Sequence, residues 1–209
     1  MYKTYWDFLS KNNSLYQMGP QPHRDFILNL LKEKGVNSIL DVGCGTAPVY
    51  DLIKKNEAYS FEYKGVDFSE GMISSCKYNF PEGNFQVEDM RHLDEEDNSW
   101  DCVLLMHALD HVDDYKVSIK EATRVAKKYV VIALWWPLDN REKLNDRNHF
   151  EVKPGDPDWE DTWLHAYTRE LLDEEFKKNN LETICYNDNE IISEYGKIGT
   201  IFLLEKHVG

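Results

Sequence analysis

Apolar residues recur along this chain in two alternating rhythms. Phe26, Ile27, Leu30 and Leu31 return at helical spacing, and Gly35 follows as a C-cap. From there short apolar runs predict strands at Ser38–Val42, Phe61–Val66, Asn84–Val87, Asp101–Met106, Tyr129–Trp135, Leu181–Tyr186 and Thr200–Leu204. Between them, Val49–Lys55, Glu70–Tyr78, Asp114–Lys127 and Thr168–Asn179 read as helices. Val117, Ile119, Ala122 and Val125 are expected on the apolar side of the third of these, and Leu171, Leu172 and Phe176 on that of the fourth. The runs at Asp101–Met106 and Tyr129–Trp135 are continuous rather than alternating, the mark of strands covered on both faces.

Strands that alternate with helices imply an α/β fold: a seven-stranded, mostly parallel, doubly wound sheet with helices on both faces. The last two strands are separated only by Asn187–Gly199, too little for a parallel crossover, so the final strand is expected to be antiparallel. Residues 1–36 read as an N-terminal helical cap, with Tyr2, Tyr5, Trp6, Phe8 and Tyr16 before the breaker Gly19-Pro20-Gln21-Pro22. Residues 37–209 read as the core. A segment at about 138–166 falls outside the rhythm, holds Pro154, Pro157, Trp159, Trp163 and His165, and reads as an insertion over one end of the sheet.

Composition narrows the field. The 209 residues carry a formal net charge of −14, which argues against a broad nucleic-acid surface. The longest apolar run, Tyr129 to Trp136, is far short of the roughly 20 residues that span a bilayer. The first residues have no apolar stretch of the secretory kind, so a reducing cytoplasm is the expected compartment. Cys44, Cys76, Cys102 and Cys185 form no C-x-x-C pair, and no metal site is expected.

Chemistry concentrates where strands end. Asp41-Val-Gly-Cys-Gly-Thr46 joins the first strand to its helix, and Gly43 and Gly45 permit a tight turn and close approach of a ligand to the backbone. Pro48 stands where a dinucleotide fingerprint would carry a third glycine, which argues against a pyrophosphate cradle. Asp67 ends the second strand, placed to accept both hydroxyls of a ribose, and Glu88-Asp89-Met90 ends the third, placed to accept an adenine amine. Any one acid alone reads best as a strand-end cap. Acids at three successive strand ends beside a G-x-G loop point to a ligand, because such sheets bind ligands at the carboxyl ends of their strands.

These residues resemble the class I S-adenosylmethionine-dependent methyltransferases. The resemblance is carried by Ile39-Leu-Asp-Val-Gly-Cys-Gly-Thr46, Gly65-Val-Asp-Phe-Ser-Glu-Gly-Met72, Gln86-Val-Glu-Asp-Met90 and Asn98-Ser-Trp-Asp-Cys-Val-Leu-Leu-Met106. Leu109-Asp-His-Val112 is similar to the Leu-Glu-His-Val common after the family's fourth strand, and Tyr167-Thr-Arg-Glu-Leu171 to the start of its late helix. The resemblance implies S-adenosylmethionine as cofactor and S-adenosylhomocysteine as product. It implies that the loop Gly43-Cys44-Gly45 backs the methionine portion, with Asp41 near its ammonium. Asp67 is implied at the ribose, Asp89 at the adenine amine with Glu88 and Met90 beside it, Phe68 and Met72 against the adenine, and Met106 beside the sulfonium.

Methyl transfer from a sulfonium is an in-line displacement that needs a positioned nucleophile, exclusion of water and, for an oxygen or nitrogen acceptor, a route for its proton. His107 and His111 are the candidate bases, against the plainer readings that His107 packs beside the cofactor and His111 is structural. Tyr5, Trp135, Trp136, Trp163, His165 and Tyr167 are the candidate lining of the acceptor pocket, though half of such aromatics would merely fill the gap between lid and sheet. The N-terminal segment, with Arg24, reads as a second lid. Arg24 is open between pairing with a carboxylate and serving as a helix-surface charge. The expected function is methyl transfer to a small molecule. The alternatives are a non-catalytic cofactor-binding regulator or scaffold, and an RNA or protein methyltransferase working with a partner chain.

Overall fold

In the computed structural model, residues 22–112, 114–134, 138, 167–188, 192–193, 196–197 and 200–207 are described. Tyr5, Trp135, Trp136, Trp163 and His165, the expected helix within 1–18 and nearly all of the expected insertion lie outside them.

The elements run α1 (Pro22–Glu33), β1 (Ser38–Val42), α2 (Pro48–Lys55), β2 (Glu62–Asp67), α3 (Glu70–Asn79), β3 (Asn84–Val87), β4 (Trp100–Met106), a 3-10 turn (Leu109–His111), α4 (Tyr115–Val125), β5 (Ala126–Ala133), α5 (Arg169–Lys178), β6 (Leu181–Asp188), β7 (Ile192–Ser193), β8 (Gly196–Lys197) and β9 (Thr200–Lys206). The main sheet has seven strands in the order β3-β2-β1-β4-β5-β9-β6. β9 runs antiparallel to both β5 and β6, and the other ladders are parallel. The short connection before the last strand forces this reversal, as expected from its length.

Alternation along each central strand divides the core into two layers. Ile39, Cys102, Leu104, Tyr129, Val131 and Leu203 face Ile27, Leu28 and Leu31 of α1, together with α2 and α3. Leu40, Val103, Leu105, Val130, Ile132, Phe202 and Leu204 face α4 and α5, where Ile119, Ala122, Val125, Leu172 and Phe176 close the second layer. Burying both faces accounts for the unbroken apolar runs in β4 and β5.

Three details differ from the sequence expectation. α4 ends at Val125 and β5 begins at once at Ala126, which pairs with Trp100. The helix stops there because Lys206, from the far end of the chain, donates to the carbonyls of Thr123 at 2.7 Å and Ala126 at 2.9 Å, satisfying its last turn. Val117 is exposed, and Tyr115 and Ser118 share the buried side instead. The segment read as a loop between the last two main strands holds the small hairpin β7–β8.

Phe202 is fully buried, with the Phe176 ring at 5.2 Å and the Tyr186 ring at 5.0 Å. Phe202→Ala is expected to destabilise the fold by about 3–5 kcal/mol. Tyr78→Ala, at a side chain left 86% exposed, should stay within about 0.5 kcal/mol. Urea unfolding of both variants, followed by circular dichroism, checks the contrast.

Candidate active site

The site forms where β1, β2 and β4 end. Gly43 and Gly45 adopt φ of 76° and 56°, which turns the chain sharply out of β1. The amides of Gly43 and Cys44 both donate to the Val66 carbonyl, at 2.8 and 3.0 Å, so the loop is stitched to the neighbouring strand. Around Gly43 there is no room: a Cβ there would lie 2.5 Å from the Ala108 Cβ, on the loop after β4. Around Gly45 the space is open, and its φ alone favours glycine. Pro48 then opens α2 at its first turn, where a missing N–H is harmless.

Asp67 holds this loop from the next strand. One carboxylate oxygen accepts from the Gly45 amide at 3.0 Å and the other from the Ser69 amide at 2.9 Å. Ser69 in turn caps α3, its hydroxyl accepting from the Met72 amide at 3.1 Å. Cys44 is buried, and its thiol is pushed well up by a hydrogen bond with Cys76 and by burial, so it is an inert packing group. Met72 is buried at the start of α3, Phe68 is half-buried beside it in sequence, and Met106 closes β4 in the apolar layer.

The two acids after β3 have divided roles. Glu88 is buried and takes the Lys64 ammonium at 2.7 Å and the Asp94 amide at 3.2 Å. Lys64 also pairs with Glu95; together the two glutamates raise its pKa although burial works against the charge. This buried trio fixes the loop from β3 to β4. Asp89 is 43% exposed and pairs with Arg91 at 2.6 Å, which holds its carboxyl below the usual range. Met90 is half-buried, its methyl 3.7 Å from where a Gly43 Cβ would stand.

A buried polar group lies on the α1 side of β1. Asp41 is 1% exposed, and its Oδ2 accepts from the Tyr63 hydroxyl at 2.7 Å. Burial pushes its carboxyl up to about 6; the Tyr63 hydrogen bond and Arg24 pull the other way, and Asp67 adds to the rise. Its Oδ1 is buried with no hydrogen-bond partner among the described residues. Arg24 is also buried, which lowers its pKa to about 10. His23 and His107 meet edge to face, Nε2 to Nε2 at 3.0 Å. Burial lowers His23 to about 3 and His107 well below its usual range, and Arg24 adds to both shifts, so both imidazoles are neutral at pH 7. His107 is held at φ 58° while its amide donates to the Ala133 carbonyl at 2.8 Å.

The structure thus places Asp41, Gly43, Cys44, Gly45, Asp67 and His107 at neighbouring strand ends. His111 sits half-buried in the 3-10 turn. Tyr167 lies in the second core layer, its ring against Tyr115 at 5.1 Å and its hydroxyl donating to the Leu109 carbonyl at 2.7 Å, so it braces the turn that follows β4. His23 was not singled out from sequence; its partner lies 84 residues away, and no spacing rule links them. Among the described residues, no three His, Cys, Asp or Glu side chains are grouped to hold a metal ion, and no helix is long and apolar enough to cross a membrane.

Comparison with known proteins bears on this site directly. Residues 40–134 match the methyltransferase domain family Methyltransf_11. Demethylmenaquinone methyltransferase of Bacillus subtilis is 31% identical over 130 residues, 60% of this chain and 56% of that protein. The chain spans about half the length of the curated relatives it matches. Magnesium protoporphyrin IX methyltransferase of Synechocystis, solved with bound S-adenosylmethionine, superposes with a TM-score of 0.71 at 13% identity, over 99% of this chain and 95% of that one. An S-adenosylmethionine-dependent methyltransferase of Methanosarcina mazei gives 0.67 at 18% identity, over 83% and 94%.

The match over residues 40–134 identifies a methyltransferase domain, and the chain shares its fold with solved S-adenosylmethionine-dependent methyltransferases. S-adenosylmethionine is the cofactor that such a domain takes, and the residues here fit it: a glycine turn, an acid at the end of β2 and a buried carboxylate oxygen awaiting a donor.

The two glycines separate steric from conformational need. Gly43→Ala should destabilise the protein by about 2–3 kcal/mol, from overpacking against Ala108 added to the unfavourable φ. Gly45→Ala should cost about 1 kcal/mol, from φ alone. Equilibrium urea midpoints of the two variants give the comparison.

Proposed function

We propose that this protein transfers the methyl group of S-adenosylmethionine to a small-molecule acceptor through an oxygen or nitrogen nucleophile. The observation that carries the reading is the Asp67 carboxylate bonded to Gly45 at the turn out of β1, with the buried His107 at the adjacent end of β4. The bound cofactor supplies an electrophilic methyl carbon on a sulfonium. The nucleophile forms a bond to that carbon as the carbon–sulfur bond breaks, and the acceptor's proton must leave.

Asp67, beyond its two amide bonds, is the acceptor for the ribose hydroxyls, since each carboxylate oxygen can take more than one hydrogen bond. Asp41 faces the ammonium. Phe68 and Met72 border the adenine, and Asp89 meets its amine. Glu88 acts one step back, fixing the loop through Lys64. His107 works as a neutral imidazole. Burial, His23, Arg24 and His111 all oppose its protonation, so it accepts a hydrogen bond and orients the acceptor, while the proton passes onward to water.

A relative named for demethylmenaquinone supports a small organic acceptor, and the net charge of −14 disfavours RNA. Cytoplasmic work fits the four cysteines, all present as thiols.

Calorimetry with S-adenosylhomocysteine should show binding, and Asp67→Ala should weaken it by about 1–3 kcal/mol. Transfer of a radiolabelled methyl group to a panel of small phenols, quinols and amines tests the reaction itself. Tight cofactor binding with no transfer to any acceptor class would favour a regulatory module instead.

Asp41 gives the reading a pH signature. Its folded pKa, about 6, is raised, so the folded protein without ligand prefers it protonated at low pH, and its ionisation opposes folding as pH rises towards 6. An ammonium requires the ionised form. S-adenosylhomocysteine affinity should therefore rise about tenfold between pH 5 and pH 7 and level off above, with no such rise in Asp41→Asn.

A further inference from the structure

His23 and His107 stand 84 residues apart in the chain and meet in its interior. His23 lies in the first turn of α1 and is 1% exposed. His107 follows β4, beside the point where the strand order reverses between β1 and β4, and such sheets receive their ligands there. Its φ of 58° is a conformation that an L-residue keeps only where its surroundings over-determine it. They do so here: the His107 amide donates to the Ala133 carbonyl at 2.8 Å, and Ala108 after it stands against Gly43. The imidazole is held against α1, with its Nε2 at 3.0 Å from that of His23.

A hydrogen bond between two ring nitrogens takes one proton, so one ring donates and the other accepts. Burial keeps both rings neutral, and Arg24 on α1 and His111 in the 3-10 turn act on the pair in the same direction. Two neutral imidazoles joined at Nε2 hold complementary tautomers. The ring that donates at Nε2 has a bare Nδ1, and the ring that accepts there carries its proton on Nδ1. His23 Nδ1 is buried with no hydrogen-bond partner among the described residues. Packing does not account for such a pair, since two apolar rings fill the same space without the cost of burying ring nitrogens. What imidazoles add is passage of a proton: one enters at one Nδ1, the shared one crosses, and one leaves at the other Nδ1, with neither ring left charged.

We propose that His107 and His23 form a two-ring relay that carries away the proton shed by the methyl acceptor. The inference rests on the methyltransferase reading and adds His23 as the residue through which His107 works. In the resting state His107 donates from Nε2 to His23, which carries its own proton on Nδ1. As the acceptor's nucleophilic atom bonds to the methyl carbon, the carbon–sulfur electron pair stays on sulfur and the acceptor's proton passes to His107 Nδ1. The His107 Nε2 proton crosses to His23 Nε2, and the His23 Nδ1 proton leaves to water. One proton has entered and one has left. After the product departs, the reverse passage restores the pair, with water giving a proton to His23 Nδ1 and taking one from His107 Nδ1. A lone buried imidazole would have to become an imidazolium in the field of Arg24, and the pair avoids that state.

Nitrogen-15 NMR of the imidazoles in the full-length protein, saturated with S-adenosylhomocysteine at pH 7, tests the resting state. His107 should be the Nε2–H tautomer and His23 the Nδ1–H tautomer. The reverse assignment would overturn the proposal, because His107 would then have no bare Nδ1 to take a proton. So would protons on both Nε2 atoms, which would leave no shared bond. His23→Phe keeps a ring against His107 and removes its nitrogens. In radiolabelled methyl transfer it should lower kcat by about 10- to 100-fold with phenols, which must shed a proton. The loss should be at least about tenfold smaller with dimethylanilines, which are methylated without shedding one. Equal losses with both acceptor classes would make His23 a structural residue and overturn the proposal. The tautomer measurement decides even if His23→Phe fails to fold. An unmodified protein that did not bind S-adenosylhomocysteine would instead overturn the methyltransferase reading on which the relay stands.

Discussion

The Asp67 carboxylate is the tie on which the site depends. Its two oxygens, each accepting one backbone amide, join the turn out of β1 to the start of α3. The turn needs positive φ at two glycines and packs directly on Ala108 after β4. A single anion at the end of β2 therefore sets the relative positions of the loops after β1, β2 and β4. Charge-assisted bonds to backbone amides suit this task, because they are stronger than neutral ones. The same side chain that would read a ribose also builds the surface against which the ribose would lie.

Burial sorts the remaining charges. Lys64, Glu88 and Glu95 are taken from water but satisfy one another, so that trio stabilises the loop after β3 and leaves Asp89 near the surface. Arg24 and Asp41 are taken from water without mutual satisfaction, and burial shifts both towards neutrality. A chain rarely keeps such groups for stability alone, because unpaired buried charges cost several kcal/mol of desolvation. The contrast between the satisfied trio and the unsatisfied pair separates scaffold from site more sharply than sequence position does.

Much of the fold was legible because both layers of the core impose their period on the sequence. The unbroken apolar runs of β4 and β5 announced strands buried on both faces, and the short link before β9 announced its reversal. The glycine turn and Asp67 were legible because backbone geometry and strand ends leave local marks. What escaped depends on contacts between distant residues. Nothing around Thr123 or Ala126 says that Lys206 ends α4. Nothing around Glu88 says that Lys64 will claim it, and Arg24 beside His23 reads as easily as a surface pair as a buried one. Of the aromatic residues expected around the acceptor, Tyr5, Trp135, Trp136, Trp163 and His165 lie outside the described residues.

A crystal structure of the protein with S-adenosylhomocysteine tests the central claim most directly. The account predicts the ribose hydroxyls within hydrogen-bond distance of Asp67, the Gly43–Gly45 turn against the methionine chain, and the Gly45 and Ser69 amides still bonded to the Asp67 carboxylate. A ligand bound elsewhere, or an Asp67 that releases the loop to reach the ribose, would contradict it.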